Sequence, residues 1–184
     1  MTSSSQGISV FSGIRKSANG RYQSLQGTYN PRVGGPYKGP SKRPIFRSKL
    51  ELRLMLMLDS VEAGNVVSWE YESRRIPYTD KSTFELDGSG RRTNPVRQYV
   101  IDFIIKLKSA VGIQTYWVEV KSIHDIEVNR TRRRTKNAMI SEKIRIKNYC
   151  KWVAAAKIAK NVGAQFLVVT ERELDRLKRM IYGH

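Results

Sequence analysis

The decisive part of the sequence is QYVIDFII (residues 98–105) followed by TYWVEVK (residues 115–121). Both stretches are rich in β-branched and aromatic residues, which favour extended strands. The segment 110–114 between them is short enough to be a hairpin connection. The two stretches are therefore predicted to be neighbouring strands of one sheet.

Three charged side chains interrupt these apolar strands. Asp102 stands among Tyr, Val, Ile and Phe, where an unpaired carboxylate is costly because burial disfavours its charge. Glu119 and Lys121 are two residues apart on the next strand, so they project from the same face. We expect the two strands to bring Asp102 and Glu119 to a common point, with Lys121 beside them.

Such a point would suit a hard divalent cation. Two carboxylates and the Val120 carbonyl offer the oxygen ligands that Mg²⁺ prefers, and Mn²⁺ is expected to substitute for it. The ion would neutralise charge on a phosphate and lower the pKa of a bound water. Lys121 would orient or deprotonate that water, or stabilise the developing negative charge. Glu51, on a predicted helix, would add a ligand for the same or a second ion.

Each of these residues also has a simpler explanation. A Glu-x-Lys pair on a strand is common and usually marks a solvated edge. A strand aspartate such as Asp102 is often a structural hydrogen-bond acceptor or an ion-pair partner. Ser48 and Glu51 have the spacing of a capping box, so Glu51 can simply hold the start of its helix.

The rest of the chain predicts helices and strands around this pair. Apolar residues three and four apart after Ser48 predict a buried helix that stops at Gly64. Further predictions are strands at 66–71, 74–79 and 165–169, a loop at 80–94, and helices at about 141–162 and 170–182. This order is typical of an α/β fold, a mixed central sheet flanked by helices.

Residues 1–44 differ in composition from the rest. They are rich in Ser, Gly, Tyr, Asn and Pro, and they contain no acidic residue, since the first acid of the chain is Glu51. They also show no apolar periodicity. The prediction is a flexible basic N-terminal arm at 1–44, followed by one folded domain at 45–184.

The charge balance indicates a polyanionic partner. Lys and Arg total 34 against 16 Asp and Glu, a formal net charge of +18. Binding to nucleic acid would relieve this self-repulsion, and an anionic membrane surface is the weaker alternative. Basic loops near the acid pair are predicted DNA contacts, although a solvated surface is the simpler interpretation of such runs. The predicted contacts are Arg91, Arg92, Arg97, Arg130, Arg132, Arg133, Arg134, Lys136, Lys42, Arg43 and Arg47.

Several classes of protein are disfavoured by composition. Cys150 is the single cysteine, so neither a disulfide framework nor a thiolate zinc site is expected. No apolar run approaches the ~20 residues that span a bilayer, and the start lacks the pattern of a signal peptide. We expect a cytoplasmic protein with no membrane partner.

The motif residues resemble a known superfamily. Asp102 followed by Glu119-Val120-Lys121 is similar to the PD-(D/E)xK nuclease signature, with Ile101 where proline often stands. Over about residues 45–177, a set of ordered blocks resembles the tailed-phage head-completion nucleases and, more distantly, the endonuclease subunit of TnsA-type transposases. The blocks are FRSKLE (46–51), WEYE (69–72), IPY (76–78), YVIDF (99–103), YWVEVK (116–121), KWVAAA (151–156) and FLVVTEREL (166–174).

The resemblance implies a restriction-endonuclease-like core that cleaves phosphodiesters with a metal ion. By position, Glu51 matches the helix glutamate, Asp102 the metal-ligating aspartate, Glu119 the second ligand and Lys121 the catalytic lysine. In phage relatives the implied task is to process DNA ends or protruding DNA when a filled head is completed.

The leading hypothesis is thus a Mg²⁺-dependent endonuclease for double-stranded DNA. Head, portal or packaging proteins would be its phage partners, and the host cytoplasm or the virion its location, with a homodimer left open. A second hypothesis is a non-catalytic DNA-binding structural protein of a virion or nucleoid. A third keeps the enzyme but assigns it to transposition, repair or junction resolution.

Overall fold

A long antiparallel hairpin forms the centre of the structure. The structure is a computed structural model and describes residues 25–126 and 136–183. In chain order its elements are β1 (Gly27–Thr28), β2 (Ile45–Phe46), α1 (Lys49–Leu58), β3 (Val66–Thr79), β4 (Glu85–Leu86), β5 (Arg92–Thr93), β6 (Val96–Ser109), β7 (Gly112–Val120), α2 (Ile123–Ile126), α3 (Lys136–Asn161), β8 (Ala164–Val169) and α4 (Leu174–Tyr182).

The main sheet has four strands in the order β3-β6-β7-β8. The first three strands are antiparallel, and β8 runs parallel to β7. A parallel neighbour requires a crossover connection, which α3 provides. The prediction of an α/β fold with a mixed sheet flanked by helices is confirmed, and so is the hairpin between β6 and β7.

Two apolar core regions pack against this sheet. The first joins α1 and α4 to residues of β6 and β7 such as Phe103 and Val118. The second joins α3 to residues of the same strands such as Ile104 and Trp117. Because strand residues alternate between faces, β7 places Trp117 and Glu119 toward the α3 side.

Three predicted elements differ in detail from the structure. The two strands predicted at 66–71 and 74–79 are one strand, β3, interrupted by an irregularity between Tyr71 and Arg74. The predicted loop at 80–94 contains the small β4–β5 hairpin. Helix α3 begins at Lys136, which the sequence had assigned to a basic loop. Mostly exposed residues form the β4–β5 hairpin and the first turn of α3, so no pattern of buried apolar residues marked them.

The prediction of a flexible arm is wrong for residues 25–44. The Tyr29 side chain is fully buried, and its hydroxyl donates to Asp59 at 3.0 Å. The Arg32 backbone N–H donates to the same carboxylate at 2.6 Å. Buried Asp59 thus ties this segment to the end of α1, while residues 1–24 lie outside the described residues.

Isolated aromatic anchors explain why this docking was missed. The ring of Tyr37 lies 4.4 Å from that of Trp69, centroid to centroid, and Lys38 donates its backbone N–H to the Trp69 carbonyl. Single anchors separated by Gly and Pro create no helical or strand periodicity. The composition of this packed segment is therefore that of a flexible arm.

The burial of Tyr29 predicts the effect of replacing it. Replacing fully buried Tyr29 with Ala should lower the free energy of unfolding by about 3 kcal/mol or more, because a large cavity opens and Asp59 loses a donor. The matched control is Val33→Ala, because the Val33 side chain is fully exposed. Urea denaturation of both variants measures the difference. Equal stabilities would mean that the segment is not packed.

Candidate active site

The register of β6 and β7 brings the two predicted acids together. Phe103 pairs with Val118, so one step further Asp102 stands opposite Glu119. The Asp102 Oδ2 atom accepts the Val120 backbone N–H at 2.8 Å. The expected convergence of the two acids at neighbouring strands is therefore present in the structure.

An irregularity in β3 lies beside Asp102. Tyr71 pairs with Phe103 and Arg74 with Ile101, so β3 has one residue more than β6 at this point. Ile101 then packs in the second core region and Phe103 in the first, although residues two apart in a regular strand share a face. Such bulges often re-aim a side chain near a functional site.

Glu119 is a buried carboxylate with two partners. The Tyr99 hydroxyl donates to its Oε2 atom at 2.5 Å, and the Lys121 Nζ atom lies 3.3 Å from its Oε1 atom. Only 2% of Glu119 is exposed. The simpler interpretation of the Glu-x-Lys pair as a solvated strand edge is therefore wrong.

Asp102 is less well compensated than Glu119. Burial raises the pKa of Asp102 well above its usual value, and the nearby Glu119 and Glu51 carboxylates raise it further. The Val120 N–H and the Lys121 ammonium oppose this rise without cancelling it. Asp102 does act as a structural hydrogen-bond acceptor, as the simpler interpretation expects. One backbone hydrogen bond does not, however, offset the electrostatic cost of its buried charge.

Lys121 directly follows the last residue of β7 and is still paired with β8. Its backbone N–H donates to the Val169 carbonyl at 3.0 Å, which continues the pairing with β8. Burial lowers the pKa of Lys121, but the charges of Glu119 and Asp102 outweigh that effect and raise it overall. Lys121 is therefore a protonated ammonium beside the acid pair.

Glu51 performs the capping role that its spacing suggested. Ser48 is the N-cap of α1, and its hydroxyl oxygen accepts the Glu51 backbone N–H at 3.1 Å. The Glu51 carboxylate accepts the Arg47 backbone N–H at 2.8 Å and the Tyr71 hydroxyl at 2.6 Å. These donors hold Glu51 near Asp102, but they also occupy its carboxylate.

The donor set fits a divalent cation at the acid pair. The Asp102 and Glu119 carboxylates are close enough to interact electrostatically, Asp102 accepts from the Val120 backbone, and the high cost of the Asp102 charge would fall if a cation bound there. Among residues 25–126 and 136–183, no three His, Cys, Asp or Glu side chains form one metal-binding group. The structure thus brings together two carboxylates of the predicted set and does not add Glu51 to them.

Two further residues belong to the site and were missed from the sequence. Tyr99 binds Glu119, and the Lys151 Nζ atom on α3 lies 5.3 Å from the centre of the Tyr99 ring. Burial lowers the pKa of Lys151, a shift that the charges of Glu119 and Asp102 oppose. A lysine beside the buried stripe of a helix was the available signal for Lys151. Tyr99 gave no signal beyond strand propensity.

Two of the predicted DNA contacts form ion pairs within the protein. Arg47 forms an ion pair with Glu72, and Arg97 lies 3.4 Å from Asp80 and 3.1 Å from Glu85. These two arginines therefore already have carboxylate partners within the protein.

The other predicted contacts that the structure describes are exposed. Arg92 also stacks on Phe84, with its guanidinium carbon 4.3 Å from the ring centre. The exposed residues are Lys42, Arg43, Arg91, Arg92 and Lys136. Four further predicted contacts lie outside the described residues, namely Arg130, Arg132, Arg133 and Arg134.

The mixed sheet flanked by helices is consistent with the restriction-endonuclease-like class of nucleases. The chain matches the family model described as TnsA-like endonuclease N terminal over residues 63–171, more than half of its 184 residues. It belongs to that family. The match includes Asp102, Glu119 and Lys121 and begins after Glu51.

Other comparisons add nothing to the family assignment. No curated protein matches the chain, and no solved structure matches it. Within residues 25–126 and 136–183, none of the helices combines the length and apolar character needed to cross a bilayer.

The cost of the Asp102 charge makes a prediction about stability. Asp102→Asn keeps an oxygen for the Val120 N–H but removes the charge, so it should raise the melting temperature without divalent cations. Because the folded-state pKa is raised, the penalty is absent below the usual value of 3.8, grows as pH rises from there to the folded pKa, and is fully present above it. Near pH 8 we expect a gain of about 2–4 °C, or about 1 kcal/mol, that shrinks toward pH 4.

Asp80→Asn is the matched control and should have the opposite sign. Burial raises the Asp80 pKa, but hydrogen bonds from Ser82 and the charges of Lys147 and Arg97 lower it overall. Its charge therefore stabilises the fold above the usual pKa of 3.8, and this contribution is lost as pH falls. Scanning calorimetry in a chelator compares the variants. A lower melting temperature for both would contradict the assignment of Asp102.

Proposed function

We propose that the chain is a Mg²⁺-dependent endonuclease that hydrolyses phosphodiester bonds of double-stranded DNA. The observation that carries this proposal is the placement of Asp102 opposite Glu119, with Lys121 on the same side of the sheet. Family membership supports a nuclease, and the net charge of +18 supports a nucleic-acid substrate.

The residues that would hold the ion are Asp102, Glu119 and the Val120 carbonyl. When bound, Mg²⁺, or Mn²⁺ in its place, supplies a Lewis acid that neutralises phosphate charge and lowers the pKa of a water. Glu51 lies close enough to Asp102 to raise its pKa, yet its carboxylate already accepts from Arg47 and Tyr71. We therefore assign Glu51 to positioning the first turn of α1 beside the site.

Lys121 would stabilise negative charge on the reacting phosphate. Its ammonium form donates hydrogen bonds, which suits charge stabilisation or orientation of the water. Tyr99 is a positioning residue, because its hydroxyl fixes one oxygen of Glu119.

The proposal extends to the biological setting. The ordered blocks from FRSKLE to FLVVTEREL favour trimming of DNA ends or protruding DNA at phage head completion, with head or portal proteins as partners and the host cytoplasm or the virion as location. Membership of the TnsA-like family also suits a transposon nuclease. Cleavage of linear, branched and supercoiled DNA compared side by side would separate these settings, since trimming requires activity on ends or flaps.

Plasmid cleavage tests the proposal directly. With Mg²⁺ or Mn²⁺ the wild-type chain should nick or linearise plasmid DNA, and a chelator should abolish this. Asp102→Ala and Lys121→Ala should each lower the rate by at least about 10²-fold, because each removes a group from charge stabilisation at the phosphate.

Two exposed residues provide matched controls for these variants. Glu62→Ala and Lys106→Ala remove the same types of charge from positions outside the site, and both should leave the cleavage rate within about twofold. If the wild-type chain binds DNA but never cleaves it with either ion, the protein is a DNA-binding structural protein and the proposed hydrolysis is excluded.

A further inference from the structure

Helix α3 presents a line of lysines on one side. Lys143, Lys147 and Lys151, hereafter the lysine row, are spaced four residues apart. Residues at this spacing are neighbours on a helix surface. With a rise of about 1.5 Å per residue, the row extends about 12 Å along the helix axis.

The lysine row runs from the exposed surface to the candidate active site. Lys143 is exposed, whereas Lys147 and Lys151 are partly buried. Lys147 lies close enough to Lys151 to affect its pKa. Lys151 in turn lies over the ring of Tyr99, whose hydroxyl donates to Glu119. The inner end of the row is therefore next to the acid pair.

No acid on α3 balances the row. Glu142 is the one acidic residue of this helix, and it pairs with Arg145 at 2.5 Å. Within the described part of the chain, no member of the lysine row has a carboxylate within ion-pair distance. Asp80 lies near Lys147, and Glu119 and Asp102 lie near Lys151, but none of these carboxylates is within ion-pair distance of the row. Adjacent cations repel one another, and an anionic ligand along α3 would lower that cost.

We propose that the lysine row binds successive phosphates of one DNA strand and leads that strand along α3 to the acid pair. A length of about 12 Å corresponds to about three or four nucleotides at an axial rise of about 3.4 Å per nucleotide. The direction of the strand toward Asp102 and Glu119 rests on the proposed function. Phosphate binding by the row does not, since it rests on three neighbouring lysines of α3 that form no ion pair within the described residues.

The salt dependence of DNA binding tests this assignment. Affinity for a short DNA duplex is measured over a range of salt concentrations in chelator, so that no cleavage occurs. The triple variant Lys143→Ala, Lys147→Ala, Lys151→Ala should bind more weakly. Each lost phosphate contact changes the slope of log affinity against log salt by about 0.9, so three contacts should flatten it by about 2.7.

A second triple variant on the same helix controls for the loss of charge. Arg145→Ala, Lys157→Ala, Lys160→Ala removes equal formal charge from exposed positions outside the row and should keep a slope close to that of the wild type. Replacing the row with three arginines should restore the wild-type slope if charge at these positions is what matters. Thermal melts of all variants check that each remains folded.

The outcomes separate the row from the nuclease proposal. A flattened slope for the row variant alone supports phosphate binding there, even if the wild-type chain proves unable to cleave DNA. An unchanged slope, or equal flattening in both triple variants, overturns the assignment even if the wild-type chain cleaves plasmid with Mg²⁺. Binding in chelator and cleavage with metal therefore report on the two proposals independently.

Discussion

The antiparallel pairing of β6 with β7 is the constraint on which the rest of the site depends. It places Asp102 opposite Glu119, and of these two like charges Glu119 is buried and Asp102 is partly buried. Such a pair costs folding energy, and the raised pKa of Asp102 expresses that cost. Proteins accept a penalty of this kind where function requires it, and a divalent cation is the ligand that would remove it.

The surrounding elements position and partly compensate the acid pair. Tyr99 and Lys121 bind the two oxygens of Glu119, while the bulge in β3 lies next to Asp102. Helix α1 places Glu51 near Asp102, where its own capping contacts fix it. Helix α3 connects β7 to β8 and also carries cations toward the site. One crossover helix thus both completes the fold and provides charge for a polyanionic substrate.

Strand alternation made the acid pair predictable. Residues 98–105 and 115–121 have strong strand propensity. The two-residue spacing of Glu119 and Lys121 predicts that both side chains project from the same face of their strand. The packing of residues 25–44 could not be predicted, because Tyr29 and a few other isolated aromatics anchor it. The position of Lys151 beside the buried stripe of its helix did not assign it to the site, since that contact depends on how α3 lies across the sheet.

A crystal structure of the wild-type chain grown with Mn²⁺ tests the central claim most directly. Anomalous scattering locates that ion independently of any assumption about the site. We expect one peak bound by carboxylate oxygens of both Asp102 and Glu119, at about 2.0–2.3 Å, with the Val120 carbonyl nearby. A structure in saturating Mn²⁺ with no ion between these two carboxylates, and Glu119 still paired with Lys121, would contradict it.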